Sequence, residues 1–494
     1  MEDLKRYVRK VGLLGISSLL ASISPLFLLP FLTKNLSIEN YGIFVQFTVT
    51  MAVLPAITIL GLPYTFVRYI SSTKDSKAIQ ETFYSIVFLI GIVNLGLAFV
   101  LFIFAGQISA FLFDNNQVVA LLLPITIFLT AFIMLSYDIL RTFHRNNLYT
   151  FFIAAQAYST VLIVVLFVTN GYGILGAIIG ILITQIIFFL IMFSIVVKMI
   201  GFSFPKFHNT RQYLNFGIPT IPNNLSTFIL DATDRYIIGY LIGMPAVGYY
   251  SGGFLLGSLI IVLLSPFFTL LLPILAPYHA INDISNIRRY LNHSIKLFLV
   301  VAIPATFILS TLSKNLLLVL STPEIAAEGY TITPIVAVGG IFYGLYGIIT
   351  QIIVLETKTH LTGNIWIFAA ISNLIIAIIM GYIFGIIGVA ITTLAAYLFA
   401  FLLTSHFAFK FIRCNFYYAF ILKAVSSSII ITLLLLYINP HGLGFILFII
   451  LLAFIIYLII MLILKGIRMY EIYFFLDILK DSYYKHRNKL LSRS

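Results

Sequence analysis

The chain has 494 residues, of which 61% are hydrophobic and only 9% are charged. Together with a mean hydropathy of +1.10, this composition excludes an ordinary soluble domain and indicates an integral membrane protein. We interpret the net charge of +13 as membrane topology and attraction to anionic lipid, not as nucleic-acid binding. The single cysteine excludes an internal disulfide, and the dispersed histidines predict neither a metal site nor a cofactor.

Apolar stretches long enough to cross a bilayer recur along the whole chain. A helical span needs about 20 mostly apolar residues, and helices satisfy their own backbone hydrogen bonds in lipid. The sequence therefore predicts an all-α polytopic protein with about fourteen spans. The spans are expected at about 11–33, 43–67, 82–105, 118–140, 149–169, 173–197, 215–241, 247–275, 295–319, 330–354, 363–383, 386–409, 420–438 and 443–464.

Basic residues collect in alternate loops. One side, which includes both termini, holds 26 of the 29 Lys and Arg residues, and cytoplasmic loops are the ones that collect them. Both termini are therefore expected in the cytoplasm, with the protein in the cytoplasmic membrane. The expected organisation is a cytoplasmic segment at 1–10, a first lobe at 11–199, a linker at 200–214, a second lobe at 215–413, two further spans at 414–466 and an amphipathic basic tail at 467–494.

The two halves of the chain repeat each other. Several prolines and glycines recur after about 210 residues, as expected of a duplicated membrane protein, and such proteins usually carry a substrate through the seam between their halves. The repeated positions are Pro55 and Pro266, Pro63 and Pro273, Pro124 and Pro334, and Gly42 and Gly248.

Span 7 carries the most polar stretch inside the membrane. Asn224, Thr227, Asp231 and the pair Asp234 and Arg235 follow at steps of three and four residues, which places them near one helix face. An ionised side chain at the membrane centre costs at least about 2.5–3.5 kcal/mol, so this face is expected to line a hydrated substrate cavity. The alternative is that Asp231 and Arg235, four residues apart, pair with each other and pin the helix.

Charges at the ends of other spans supply further candidates. Arg68, at the cytoplasmic end of span 2, suits an anionic headgroup because guanidinium binds phosphate through two parallel hydrogen bonds. Asp138 and Arg141 lie at the cytoplasmic end of span 4, and Glu356 lies at the equivalent end of span 10. A pairing of these residues across the two halves is predicted as an inner gate. The alternative is that these charges are solvated anchors.

Several chemistries are disfavoured. No segment matches the phosphate-binding loop G-x-x-x-x-G-K-[ST] of nucleotide-binding proteins. The outward loops are too short for a catalytic domain. We therefore predict that the protein is not an enzyme and that a gradient or a partner supplies the energy for its action.

Two segments carry a family resemblance. Residues 32–44 and 234–251 resemble the signatures of polysaccharide-biosynthesis membrane proteins, the Wzx-type oligosaccharide flippases of the multidrug, oligosaccharidyl-lipid and polysaccharide (MOP) exporter superfamily. The resemblance implies two pseudo-symmetric six-helix lobes around a V-shaped cavity, followed by two C-terminal helices. It also implies alternating-access transport of polyprenyl-(pyro)phosphate-linked oligosaccharides to the outer leaflet, for O-antigen or another surface glycan.

The same resemblance suggests residue roles and partners. Arg235, Arg68 and Lys296 are expected to supply positive charge for the phosphate. Membrane lipids, polysaccharide assembly proteins and glycosyltransferases are the expected partners. The alternatives are a cation-coupled drug or metabolite antiporter of the sister branch, a flippase for the peptidoglycan precursor, and a non-transporting scaffold, which the charged face of span 7 disfavours.

Overall fold

A computed structural model describes residues 20–70, 75–205, 207 and 209–466, without the side chains at 222–231, 265–266 and 269–270. The predicted cytoplasmic segment at 1–10 and the predicted amphipathic tail at 467–494 lie outside the described residues. The orientation of the termini stays a prediction.

Helices make up all the regular secondary structure of the described residues. A 3-10 turn at Ile218–Thr220 connects two of them. The helices are α1 (20–35), α2 (Ile38–Thr58), α3 (Leu62–Ile70), α4 (Ser76–Ile103), α5 (Ala105–Leu112), α6 (Gln117–Thr142), α7 (Asn146–Thr169), α8 (Gly173–Ile200), α9 (Thr210–Gly217), α10 (Ile221–Leu241), α11 (Met244–Gly257), α12 (Leu259–Val262), α13 (Ser265–Ala280), α14 (Ile284–Leu320), α15 (Pro323–Gly329), α16 (Ile332–Leu355), α17 (Thr359–Ala408), α18 (Tyr418–Ile438) and α19 (Leu443–Ile463).

The helices confirm the expected all-α membrane architecture of about fourteen spans. Eleven helices of the described residues are long and apolar enough to cross a membrane. One of them, the 50-residue α17, contains two of the predicted spans, because Gly385 interrupts it with a left-handed φ of 61° that favours glycine. The polar α10 is not among the eleven, although it contains predicted span 7, and α1 is described only from residue 20.

Two predicted spans are each divided into shorter helices. Span 2 consists of α2 and α3, which meet at Leu60 and Gly61, both with positive φ. Span 8 consists of α11, α12 and the beginning of α13. The breaks fall in the two spans that carry the repeated prolines Pro55, Pro63, Pro266 and Pro273, one span in each half of the chain.

The two halves pack separately and meet along a shared seam. In the first half α6 packs against α4 and α8, and in the second half α16 packs against α14 and α17. α18 and α19 pack on each other and on α14. Along the seam α2 contacts α10 and α11, and buried apolar residues from both halves form one continuous core there.

Candidate functional site

A cavity of about 240 Å³ lies in the seam between the two halves. α1 and α2 form its wall on the first half, and α10 and α11 form its wall on the second. Among the described residues that line it, Arg235 is the only charged one, and the hydroxyls come from Tyr41, Thr48, Ser251 and Ser258. The remaining lining residues are Pro25, Leu28, Leu29, Leu32, Phe44, Val45, Val49, Phe254 and Leu255.

Arg235 lies against aromatic rings at the cavity wall. Its guanidinium carbon is 3.8 Å from the ring centre of Phe254 and 5.3 Å from that of Tyr250. A guanidinium stacked on an aromatic face is stabilised by the ring's negative quadrupole and keeps a planar fork of N–H donors. One guanidinium nitrogen lies 3.9 Å from the carboxylate of Asp234. The site therefore holds a cation whose orientation is set by the second half of the protein.

Asp234 adjoins Arg235 in sequence but does not line this cavity. Its carboxylate is fully buried and accepts hydrogen bonds from the Thr393 hydroxyl, at 2.8 and 3.0 Å to its two oxygens, and from the Tyr250 hydroxyl. Because Tyr250 lies on α11 and Thr393 on α17, the carboxylate ties α10 to both helices. Hydrogen bonds of this kind compensate the cost of burying the charge.

The other predicted residues of the span 7 face lie on α10. The side chains of Asn224, Thr227 and Asp231 are outside the described ones. Their place in the cavity stays a prediction, as does the alternative pairing of Asp231 with Arg235.

Arg68 and Lys296 lie away from the described cavity. Arg68, in the last turn of α3, places its guanidinium carbon 4.4 Å from the ring centre of Phe216 on α9. The Lys296 ammonium on α14 lies 5.4 Å from the ring centre of Phe420 and 5.9 Å from that of Tyr417. Contact of either residue with a phosphate stays a prediction.

The predicted gate residues pair within their own halves. Asp138 lies 3.5 Å from Arg141, one turn along α6, and Glu356, after α16, lies 3.3 Å from His279 of α13. A pairing of these residues across the seam stays a prediction.

Sequence reasoning missed several groups that complete the site. The Tyr250 and Thr393 hydroxyls that hold Asp234 are 16 and 159 residues away from it along the chain. Across the seam, the Tyr236 hydroxyl donates to the Thr50 hydroxyl at 2.9 Å. Spacing within span 7 could not reveal any of these partners. The only available signal was the general need of a buried carboxylate for donors.

Comparison with known families and proteins gives consistent matches. The model of the family described as polysaccharide biosynthesis protein matches residues 7–279, and the MatE model matches residues 219–383. A probable low-salt glycan biosynthesis flippase, Agl15 of Haloferax volcanii, is 22% identical over 226 residues, which are 46% of this chain and 48% of that protein. The matched region thus spans about half the length of this relative.

Solved structures share the fold at low sequence identity. The lipid II flippase MurJ in an inward closed conformation has a TM-score of 0.74 at 21% identity, over 91% of this chain and 97% of that one. An inward-facing multidrug resistance MATE family transporter of the MOP superfamily has a TM-score of 0.65 at 13% identity, over 80% and 94% of the two chains. Since the first family model covers more than half of the chain, the protein belongs to the family of polysaccharide biosynthesis proteins.

Proposed function

We propose that the protein is a flippase that moves polyprenyl-(pyro)phosphate-linked oligosaccharides from the inner to the outer leaflet for surface glycan synthesis. The observation that carries the proposal is the position of Arg235, an oriented cation in a cavity between two lobes whose other described lining residues are uncharged. Family membership and the similarity to a probable glycan flippase support it. The low-identity likeness to multidrug transporters is one of fold.

Arg235 is the proposed contact for the phosphate of the cargo. Its planar donors match phosphate oxygens, and hydrogen bonds to charged groups contribute about 1.5–3 kcal/mol each. The hydroxyls of Thr48, Ser251 and Ser258 in the same cavity suit the hydroxyl groups of sugars. The polyprenyl chain is apolar and stays in the lipid, so only the headgroup enters the seam.

The size of the cavity argues for alternating access. Its volume of about 240 Å³ lies below the range of about 300–1,000 Å³ that holds drug-sized ligands. An oligosaccharide headgroup therefore requires the lobes to separate. In the proposed cycle they separate on the cytoplasmic side to admit the headgroup and on the outer side to release it.

The proposed location is the cytoplasmic membrane with both termini inside. In this orientation the alternate loops rich in Lys and Arg face the cytoplasm. Anionic lipids and the glycosyltransferases that build the cargo at the inner surface are the proposed partners.

The test is a headgroup-accessibility assay in proteoliposomes. A lipid-linked oligosaccharide is incorporated with the protein, and the fraction of headgroups that an external lectin or glycosidase reaches is followed with time. We expect the wild type to move the glycan lipid, and Arg235→Gln to slow the movement at least about tenfold, the effect of losing a charge-assisted contact. Lys410→Gln is the matched control, because the Lys410 ammonium also lies on an aromatic ring, 5.1 Å from the centre of Phe407, but Lys410 is not among the residues that line the cavity.

The assay separates the proposed function from its alternatives. A protein that leaves the glycan lipid in place but exports a soluble cationic dye with an ion gradient is an antiporter, and the proposal is then wrong. Equal slowing by Arg235→Gln and Lys410→Gln would remove Arg235 from its proposed role.

A further inference from the structure

Two glycines bring the lobes into backbone contact at one end of the seam. A Cβ atom on Gly42 of α2 would overlap the carbonyl oxygen of Met244, and a Cβ atom on Gly248 of α11 would lie 2.9 Å from the carbonyl oxygen of Ile38. Ile38 and Met244 are the first residues of α2 and α11. Each glycine thus faces the first carbonyl of the opposite helix, and the contact follows the repeat of the sequence.

A second pair of glycines makes the same kind of contact at the other end. A Cβ atom on Gly61, between α2 and α3, would overlap the carbonyl oxygen of Gly217 and the Thr220 hydroxyl. A Cβ atom on Gly217, at the end of α9, would lie 2.5 Å from the carbonyl oxygen of Leu60. α9 leads through a 3-10 turn into α10 of the second lobe. This contact is also reciprocal and is also made through backbone oxygens.

The cavity lies between these two contacts. Thr48 and Val49, which line it, are on α2 between Gly42 and Gly61. Arg235, on the opposite wall, is on α10 between Gly217 and Gly248. In this structure both ends of the seam are therefore in contact, and the described cavity lies between them.

We propose that the two glycine pairs are the two gates of the transporter. The Gly42–Gly248 contact parts when one side opens and the Gly61–Gly217 contact parts when the other side opens. Small residues let helix backbones approach closely, and a contact made mainly through backbone atoms can part with little repacking of side chains. The proposal rests on the alternating access of the proposed function but not on the identity of its cargo.

An added methyl group is the sharpest perturbation of these contacts, since it separates the backbones without adding charge or polarity. Gly42→Ala is expected to hold its end of the seam apart, and Gly217→Ala the opposite end. Gly217 is preferred to Gly61 because Gly61 has a φ of +63° that would strain any side chain. Under the predicted topology, Gly42→Ala opens the outer side and Gly217→Ala the cytoplasmic side.

The readout is the rate at which a membrane-impermeant thiol reagent modifies a cysteine in the cavity. Ser258→Cys supplies the reporter, in a chain whose native Cys414 is replaced by serine. The reagent is added to right-side-out and to inverted membrane vesicles. We expect each glycine variant to raise the rate about tenfold from one side only, and the two variants to act from opposite sides.

The matched control is Gly253→Ala. A Cβ atom on Gly253 would overlap the carbonyl oxygen of Gly329, so it is crowded by backbone to the same degree, but α11 and α15 both belong to the second lobe. This variant is expected to lower thermal stability without raising modification from either side. If Gly42→Ala does not fold, Gly248→Ala tests the same end with a milder overlap.

The possible results separate this inference from the proposed function. Opposite-sided increases support the gates even if the glycan lipid is not moved, since modification needs no cargo. Increases from the same side for both ends, unchanged rates in folded variants, or an equal increase with Gly253→Ala would overturn the inference.

Discussion

Thr393 offers the most direct test of how the buried carboxylate of Asp234 is stabilised. Thr393→Val keeps the shape of the side chain but removes the hydroxyl that donates to both oxygens of Asp234, at 2.8 and 3.0 Å. The Tyr250 hydroxyl and the Arg235 guanidinium remain. A hydrogen bond to a charged group contributes about 1.5–3 kcal/mol. We expect Thr393→Val to lower the free energy of unfolding by about 2 kcal/mol, near the middle of that range.

The neighbouring threonine provides the matched control. Thr392 is equally buried, at 3% exposure against 2% for Thr393, but its hydroxyl donates to Val389 within the same helix. Thr392→Val therefore loses no contact with a charge, and the expected loss is below about 1 kcal/mol. Thr393→Ser retains the donor and is expected to recover most of the stability.

The stability of all three variants is measured by thermal unfolding in detergent, followed with a dye that becomes fluorescent when it reacts with a thiol. Cys414 is buried and is the only cysteine, so it reacts when the surrounding helices open. Equal destabilisation by Thr392→Val and Thr393→Val would refute the assignment of the carboxylate as the source of the effect.

Three further predictions concern residues outside the cavity. Burial raises the pKa of the Cys414 thiol to about 12, so a maleimide at pH 7 is expected to label it only after denaturation in detergent, as mass spectrometry would show. Hydrogen bonds from Asn286 lower the pKa of Asp283, the N-cap of α14, below the usual 3.8. The stabilisation by the Asp283 carboxylate is present above 3.8 and lost as the pH falls through the lower folded-state pKa. Asp283→Ala should therefore reduce the melting temperature more at pH 7 than in acid, as melting curves over a series of pH values would show. The Gln46 amide is buried without a hydrogen-bond partner, so Gln46→Leu is expected to stabilise the protein by about 1 kcal/mol. Gln351→Leu is the control, because it removes a 3.2 Å hydrogen bond to the Gly347 carbonyl. It is expected to be neutral or destabilising in the same melting assay.

The spans and the repeat could be predicted because both follow from length and composition. Lipid accepts only long apolar helices, so runs such as Leu443–Ile463 are identifiable without any partner. The 206-residue offset between Gly42 and Gly248, close to that of the repeated prolines, also indicated that the two positions are equivalent in the repeat. It did not indicate that each lies against the first turn of the other's helix, because that depends on how the lobes dock.

The polar residues of span 7 were only partly predictable for a geometric reason. Asp234 and Arg235 are consecutive, so their side chains leave α10 about 100° apart. One step of the helix therefore separates a residue that contacts α11 and α17 from a residue at the cavity wall. The spacing of the residues indicated that both side chains avoid lipid. It could not show which of them is buried against a protein partner and which lines a cavity, because either environment lowers the cost of placing a charge in the membrane.

The two lobes contribute unequally to the charge of the described cavity lining. The contacts of Arg235 with Phe254, Tyr250 and Asp234 all lie within the second lobe. The first lobe contributes mostly apolar side chains and a few hydroxyls to the cavity. A phosphate bound at Arg235 would therefore move with the second lobe, whichever end of the seam is open. The Gly42–Gly248 contact joins equivalent positions of the repeat. The proposed phosphate of the cargo, in contrast, needs a cation on one lobe only, which Arg235 supplies.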